Sequence, residues 1–200
     1  MIRKDFWYIL GESHELKSDK ALSRTILGEW LAVFRDENGK AVVLQDRCLH
    51  RSAQISRGTV KNGVLQCPYH GWKYNGQGEV VFVPSEGPKT SERKRCNIRY
   101  EVCEQDNYIY VRLNPATDLK PFKMPCYQQP GYTTIRLQNR FTNNVTNCAE
   151  NFVDIPHTTF VHPNIFRNPG HEKFGASVER NPGHVKVTYL NEKKNFGLFS

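Results

Sequence analysis

Hydrophobic positions in the first hundred or so residues form short runs that are separated by turn dipeptides. Three pairs of runs meet at turns: Asn38-Gly39 within WLAVFRDENGKAVVLQD, Asn62-Gly63 within GTVKNGVLQC, and Asp106-Asn107 within NIRYEVCEQDNYIYVRL. Asn and Gly readily adopt the left-handed backbone that a tight hairpin turn requires. The pattern therefore predicts three β-hairpins and a small antiparallel β domain.

The chain changes character after residue 114. Four prolines follow within NPATDLKPFKMPCYQQPG, which is typical of an extended connection between domains. Beyond it the pattern predicts a strand in TTIRLQNRF, a helix in NNVTNCAENFVD, and a strand in HVKVTYL entered through a turn at Asn181-Pro182-Gly183. We therefore predict an α+β fold with a β domain at 1–116, a connection at 117–131, and the opening of a second domain at 132–200.

Charge and hydropathy exclude some classes of protein. The chain has 200 residues and a formal net charge of +8, but its densest basic stretch, SERKRCNIRY, contains a glutamate and runs into a predicted strand. We interpret that stretch as a solvated edge or turn, with a docking surface for an acidic electron donor as the alternative, and expect no nucleic-acid partner. No apolar run is long enough to span a membrane or form a signal peptide, so we expect a cytoplasmic protein.

The strongest chemical signal is a pair of mixed cysteine and histidine motifs. Cys48-Leu49-His50 is followed after sixteen residues by Cys67-Pro68-Tyr69-His70. Structural zinc also accepts two cysteines and two histidines, but its usual spacings pair like ligands. One thiolate and one imidazole on each loop suit a [2Fe-2S] cluster with both cysteines on one iron and both histidines on the other. The remaining cysteines are interpreted as core or loop thiols: Cys96, Cys103, Cys126 and Cys148.

The segment CLHRSAQISRGTVKNGVLQCPYHGWKYNGQGEV resembles a Rieske domain. Respiratory Rieske proteins carry an additional cysteine in each ligand loop, where this chain has Ala53 and Tyr69, so the chain resembles the oxygenase and ferredoxin branch. The resemblance implies that Cys48, His50, Cys67 and His70 bind the cluster. It extends to further positions of the motif: Arg51, Gly58, Gly71, Trp72, Tyr74 and Gly78.

A second motif lies in NCAENFVDIPHTTFVHP, which resembles the mononuclear-iron segment of Rieske non-haem iron oxygenases. The pattern Asn-x2-Asp-x2-His-x4-His is matched by Asn151, Asp154, His157 and His162. Two histidines and one carboxylate on one face of Fe(II) leave positions open for O2. Five residues separate the histidines, which places them roughly 140° apart on an ideal helix. We therefore predict a helix that bends or ends in this segment.

Spacing leaves two roles open for Asp154. It is either the carboxylate ligand, because acid-x-x-His pairs bind iron in helical bundles, or the acceptor for the ring N–H of His157 that faces away from the metal. The family resemblance implies the second role, in which Asp154 carries electrons between His157 and His70 of a neighbouring subunit. It also implies that Asn151 lies near the iron and that the protein is a homo-oligomer, with a trimer favoured.

The third iron ligand is missing from the recognisable motif. The later glutamates, Glu172, Glu179 and Glu192, are each more typical of surface charges. We therefore expect a ligand beyond Ser200, and an N-terminal fragment of a longer subunit whose catalytic domain packs helices on an antiparallel sheet.

The resemblance implies a mono- or dioxygenase that hydroxylates or demethylates an organic, aromatic or cyclic substrate with O2. Electrons would come from NAD(P)H through a separate reductase or ferredoxin. The alternatives are a Rieske ferredoxin-like electron-transfer module and, from the ligand types alone, a structural zinc protein.

Overall fold

The computed structural model describes residues 4–115, 118–162, 175–181 and 184–190, which divide into two compact units, Met1–Thr134 and Ile135–Ser200. In the first unit the strands are β1 Trp7–Glu12, β2 Leu22–Ile26, β3 Glu29–Arg35, β4 Ala41–Gln45, β5 Thr59–Lys61, β6 Val64–Gln66, β7 Lys73–Tyr74, β8 Val80–Phe82, β9 Arg99–Gln105 and β10 Tyr108–Arg112. Short 3-10 helices cover Ser13–Glu15, Ile55–Arg57 and Gly87–Glu92.

These strands form two antiparallel sheets, of order β1-β10-β9-β4-β3-β2 and β5-β6-β7-β8. Strand β3 is buried on both faces, because Ala32 and Phe34 enter one hydrophobic cluster while Leu31 and Val33 enter another. The first cluster also contains Trp72 and the two motif cysteines. The ligand loops are therefore anchored in the same core that holds the two sheets together.

All three predicted hairpins are confirmed. Strands β3–β4, β5–β6 and β9–β10 are antiparallel neighbours. At the first turn the Asp36 carboxylate accepts the N–H groups of Asn38 and Lys40, both at 2.9 Å. The other turns hold two consecutive residues at positive φ, 51° and 73° at Asn62-Gly63 and 51° and 62° at Asp106-Asn107. Asp and Asn side chains stabilise such turns by accepting backbone N–H groups, and Asn, Asp and Gly tolerate the left-handed backbone that the turns require.

Gly58 allows the first ligand segment to approach the second. A Cβ at this position would lie 1.8 Å from the backbone oxygen of Gln66, the residue before Cys67. We expect Gly58→Ala to lower the free energy of unfolding by about 3 kcal/mol, because the backbone must move to admit the methyl group. Denaturant unfolding would measure this loss, and iron content would show whether Cys67 is displaced.

Gly39→Ala is the matched control for that substitution. Gly39 has φ of +74°, and a Cβ there would meet nothing within 4 Å. Gly39→Ala should therefore lower the free energy of unfolding only by the strain of a left-handed alanine, about 1–2 kcal/mol, and should leave the iron content unchanged. Equal losses of stability and equal iron contents in the two variants would contradict the close-approach argument.

The second unit contains α1 Val145–Val153, α2 His157–Val161, β11 Gly175–Asn181 and β12 His184–Leu190. The predicted helix and the predicted strand at 184–190 are confirmed, and the Asn144 side chain caps α1 by accepting the N–H of Asn147 at 2.8 Å. Antiparallel pairing joins β11 to β12; Pro182 and Gly183 of the predicted turn lie outside the described residues. Neither α1 nor α2, nor any other described helix, is long and apolar enough to span a membrane.

The strand predicted at 133–141 is wrong. These residues adopt no helix or strand, and Ile135 and Leu137 are 78% and 86% exposed. Alternation of apolar and polar residues suits a strand only when a neighbouring strand pairs with its backbone and a core covers its apolar face. The local pattern therefore predicted a strand where the structure has an exposed segment without regular secondary structure.

Candidate metal centre

Two loops of similar construction hold the first set of predicted ligands. In the loop after β4, the Cys48 N–H donates to Ala53 O at 2.8 Å and the Ser52 N–H donates to Cys48 O at 2.9 Å. In the loop between β6 and β7, the Cys67 N–H donates to Trp72 O at 2.8 Å and the Gly71 N–H donates to Cys67 O at 3.2 Å. Each cysteine is thus fixed at both backbone groups, and each histidine lies on the turn that these bonds close.

The four side chains separate into a buried pair and an exposed pair. Cys48 and Cys67 are 4% and 1% exposed, and both lie in the same hydrophobic cluster. His50 and His70 are exposed, with ring centroids 4.5 Å apart. All six cysteines lie in the described residues and are free thiols. Two thiols within the core and two imidazoles at the surface suit a binuclear group with unlike ends, whereas one tetrahedral ion needs four converging side chains.

The electrostatics of the thiol pair favour a bound cation. Burial is the main cause that raises the pKa of the Cys67 thiol, and the neighbouring Cys48 thiol raises it further. A thiolate in this position therefore needs compensating positive charge, which iron supplies. Loss of solvation, followed by the charges of His70 and Arg51, lowers the pKa of His50 and favours the neutral imidazole that binds metal.

Tyr74 supplies a hydrogen bond to the same sulfur pair. Its side chain is fully buried, and its hydroxyl oxygen lies 3.2 Å from Cys48 Sγ while accepting the Leu49 N–H at 3.0 Å. Burial, and then the hydrogen bond to Cys48, raises the pKa of the Tyr74 phenol, so the phenol keeps its proton. Because the hydroxyl oxygen already accepts from Leu49, its proton is directed at the sulfur.

Tyr74→Phe is expected to lower the reduction potential of a cluster bound here. A hydrogen bond to sulfur stabilises the more negative, reduced state, and a bond to a charged acceptor contributes about 1.5 kcal/mol. For a one-electron couple this corresponds to roughly 60 mV. Potentiometric titration would measure the shift. Tyr100→Phe, which removes a half-buried phenol from β9, should leave the potential unchanged; an unshifted potential in Tyr74→Phe would contradict the assigned hydrogen bond.

The His50 ring is one end of a stack of planar groups. The His50 and Trp72 rings are parallel within 2°, with centroids 5.2 Å apart, and the Arg95 guanidinium lies 4.7 Å from the Trp72 centroid. Glu86 forms a two-point ion pair with Arg95 and lies 3.6 Å from Arg93. The basic stretch is therefore partly neutralised, which supports its interpretation as a solvated edge.

The second predicted motif lies where two helices end. Helix α1 ends at Val153, Asp154 follows it, and α2 runs from His157 to Val161, directly before His162. The predicted termination is confirmed: the chain leaves the helical path both before His157 and before His162. The two imidazole centroids are 5.9 Å apart. A helix end between the two histidines allows side chains five residues apart to share one face, which a straight helix would prevent.

Asp154 contacts His157 at the ring nitrogen nearer the backbone. Its Oδ2 lies 3.8 Å from His157 Nδ1, and its backbone oxygen also contacts that nitrogen. This arrangement leaves Nε2 of His157 available to a metal and places Asp154 on the opposite side of the ring. It favours the outer-acceptor role of Asp154 over the ligand role. Asn151 is exposed on α1 in the turn preceding Asp154.

The third carboxylate is not found among the residues that the structure describes. Within 4–115, 118–162, 175–181 and 184–190, no three His, Cys, Asp or Glu side chains are grouped to hold one metal ion. Glu179 is exposed on β11, 3.6 Å from Lys186, as expected for a surface charge. Glu172 and Glu192 lie outside the described ranges.

Comparison with known proteins assigns the class. The family model of the Rieske [2Fe-2S] domain matches residues 6–108, about half of the chain. The chain therefore belongs to the Rieske [2Fe-2S] family, and its resident group is a [2Fe-2S] cluster.

The similarity extends beyond that domain. The chain is 34% identical over 164 residues to the oxygenase component of dicamba O-demethylase from Stenotrophomonas maltophilia, covering 80% of this chain and 47% of that protein. It is 26% identical to the toluene-4-sulfonate monooxygenase iron-sulfur subunit TsaM1 of Comamonas testosteroni, over 96% of this chain and 57% of that protein. It therefore spans about half the length of these relatives.

Solved structures give the same result. Dicamba monooxygenase bound to dicamba superposes with a TM-score of 0.81 at 27% identity, covering 93% of this chain and 56% of that chain. The NdmA QL mutant of Pseudomonas putida CBB5 with caffeine gives 0.83 at 29% identity, with coverages of 93% and 58%. The match includes the second unit as well as the Rieske domain, and it favours the oxygenase hypothesis over the ferredoxin-like alternative.

Proposed function

We propose that this chain belongs to the oxygenase component of a Rieske non-haem iron oxygenase. The observation that carries the proposal is the presence, in one chain, of a Rieske domain and of a histidine pair whose first member is backed by an aspartate. An electron-transfer module requires only the first of these sites. Two histidines together with carboxylate ligation are the donor set typical of non-haem Fe(II) oxygenases, so the second site supports the oxygenase.

In the first site, Cys48 and Cys67 bind one iron of the cluster and His50 and His70 bind the other. The burial of the thiols and the exposure of the imidazoles support this division. Neutral imidazoles carry no negative charge, so the cluster accepts an electron more readily than one with four thiolates. The protein surface meets the cluster at the histidine end, where electrons can enter and leave.

In the second site, His157 and His162 hold the mononuclear Fe(II), which supplies O2 activation when bound. The contact of Asp154 with Nδ1 of His157 directs Nε2 of that ring at the metal. We place Asn151 near the iron, one helical turn before Asp154. The third ligand is a carboxylate that is not among the residues described.

Asp154 carries electrons between the two sites. Both Asp154 and His70 are exposed, so each is accessible to another subunit. We propose that His70 of one copy meets Asp154 of the next in a homo-oligomer, because a closed ring lets every copy donate and accept. The family resemblance is what favours a trimer. A carboxylate between two imidazoles accepts an N–H from each and holds both rings in a fixed tautomer.

The partners follow from the same proposal. A reductase or ferredoxin supplies electrons from NAD(P)H, and O2 is the co-substrate. The names of the relatives, dicamba O-demethylase and toluene-4-sulfonate monooxygenase, support an aromatic or cyclic organic substrate that is hydroxylated or demethylated. The free cysteines fit a reducing compartment such as the cytoplasm.

Metal analysis of the full-length protein tests the proposal. The oxygenase requires one iron beyond the two of the cluster, so iron should exceed acid-labile sulfide by one atom per chain. The additional iron should give an EPR signal after nitric oxide is added. Equal iron and sulfide, with no such signal after reconstitution with Fe(II), would establish the electron-transfer module instead. Zinc in a colourless protein would refute both.

A further inference from the structure

Asp46 is a fully buried carboxylate at the start of the first ligand loop. It follows β4, is 0% exposed, and is separated from Cys48 by one residue. Its Oδ1 accepts the Ser56 N–H at 2.7 Å, and its Oδ2 accepts the Ser56 hydroxyl at 2.6 Å, the Ser23 hydroxyl at 3.3 Å and the Gln54 side-chain amide at 3.5 Å. Each of these donors is neutral, so the charge is dispersed but not cancelled.

These bonds close the loop at its base. Asp46 precedes the loop, whereas Gln54 and Ser56 follow it, so one carboxylate ties the entering backbone to the leaving backbone. Asn97 fixes the entering strand independently, because its side-chain amide donates to Gln45 O at 3.2 Å and Arg47 O at 3.1 Å. Its own N–H donates to Gly78 O at 2.8 Å. The carboxylate therefore has a fixed position relative to Cys48.

We propose that Asp46 is a positioning residue for the cluster, and that its buried negative charge holds the reduction potential down. This inference rests on the proposed [2Fe-2S] ligation by Cys48 and His50. Adding an electron to the cluster adds negative charge, which a fixed carboxylate in a poorly solvated site opposes. The hydrogen bonds of Asp46 place the loop, and its charge favours the oxidised state.

Asp46→Asn separates the two effects. Asparagine keeps an acceptor for the Ser56 N–H, and the serine hydroxyls can rotate to accept from its NH2 group, so the loop can keep its shape. We expect the equilibrium between oxidised and reduced cluster in the holoprotein to shift roughly tenfold toward the reduced form. That is a rise of about 59 mV for a one-electron couple. Dithionite titration with redox mediators would measure it.

Asp36→Asn is the matched control. Asp36 lies at the hairpin turn at the opposite end of β4, accepts two backbone N–H groups, and is partly exposed to solvent. The substitution removes the same charge at a hydrated site far along the strand, so the potential should remain within error of the wild type. A shift in Asp46→Asn that is no larger than the shift in Asp36→Asn, or of opposite sign, would overturn the proposal.

Ser56→Ala provides a test even if Asp46→Asn fails to take up the cluster. This substitution removes the hydroxyl that donates to Asp46 Oδ2 at 2.6 Å, so the negative charge of the carboxylate is less well stabilised by hydrogen bonds. The reduction potential of the cluster should therefore fall below the wild-type value. An unchanged or higher potential would refute the electrostatic role. Failure of the wild-type protein to assemble any [2Fe-2S] cluster would instead refute the proposed function, and optical spectra before titration distinguish that outcome.

Discussion

Replacing His157 with alanine in the full-length protein should remove the mononuclear iron and leave the cluster intact. His157 is the histidine that Asp154 orients, and its contacts with Asp154 are made through Nδ1, the ring nitrogen on the side away from Nε2. Removing a residue that only hydrogen-bonds to a metal ligand already lowers metal affinity or activity roughly 10- to 100-fold. Removing a ligand itself should therefore reduce O2-dependent product formation by at least about 100-fold. Iron per sulfide, and turnover of aromatic substrates, would measure the two effects.

His184→Ala is the control for this substitution. His184 is an exposed histidine on β12 in the same unit, and we assign it no role. Its replacement should leave both iron content and turnover at wild-type values. If His157→Ala retained full substrate oxidation, the oxygenase proposal would fail even with the Rieske cluster confirmed.

Replacing Cys67 with alanine should abolish the [2Fe-2S] cluster. Cys67 is almost fully buried in the same core cluster as the other motif cysteine, and has no solvent to stabilise an incompletely ligated iron. We expect acid-labile sulfide and visible absorption to fall by more than tenfold, because a buried iron that lacks one of four ligands is poorly retained. Circular dichroism would show whether the β domain is still folded.

Cys126→Ala controls for the loss of a thiol. Cys126 is a partly exposed free thiol outside both ligand loops. The Cys126→Ala protein should retain the full [2Fe-2S] cluster. A folded Cys67→Ala protein with wild-type sulfide content would show that another residue completes the cluster.

The hairpins were predictable because their causes are local. Asn-Gly and Asp-Asn supply the positive φ values that the turns require, and the structure has them at Asn62-Gly63 and Asp106-Asn107. The order of the six-stranded sheet was not predictable, since β4 pairs with β9 across more than fifty residues. The strand predicted at 133–141 failed for the same reason: pairing depends on a partner that a local pattern does not name.

The candidate site was likewise predictable only in part. Spacing identified the cysteine and histidine motifs, because ligands on one loop are close in sequence. Spacing could not show that Asp46 is fully buried or that Arg95 stacks on Trp72, since Ser23, Gln54 and Glu86 reach these residues from other segments. An acidic residue directly after β4, two residues before the first motif cysteine, was the one local signal that could have singled out Asp46.

The division of ligands between the two irons is the central claim, and pulsed EPR of the reduced cluster tests it most directly. The full-length protein would be prepared with ¹⁵N-labelled histidine and reduced by one electron. Two imidazoles at the surface end of the cluster should give hyperfine couplings from two directly bound histidine nitrogens, and His70→Ala should lose at least one of them. A reduced [2Fe-2S] cluster with no hyperfine coupling from a directly bound histidine nitrogen would contradict the account, because both irons would then be bound without histidine.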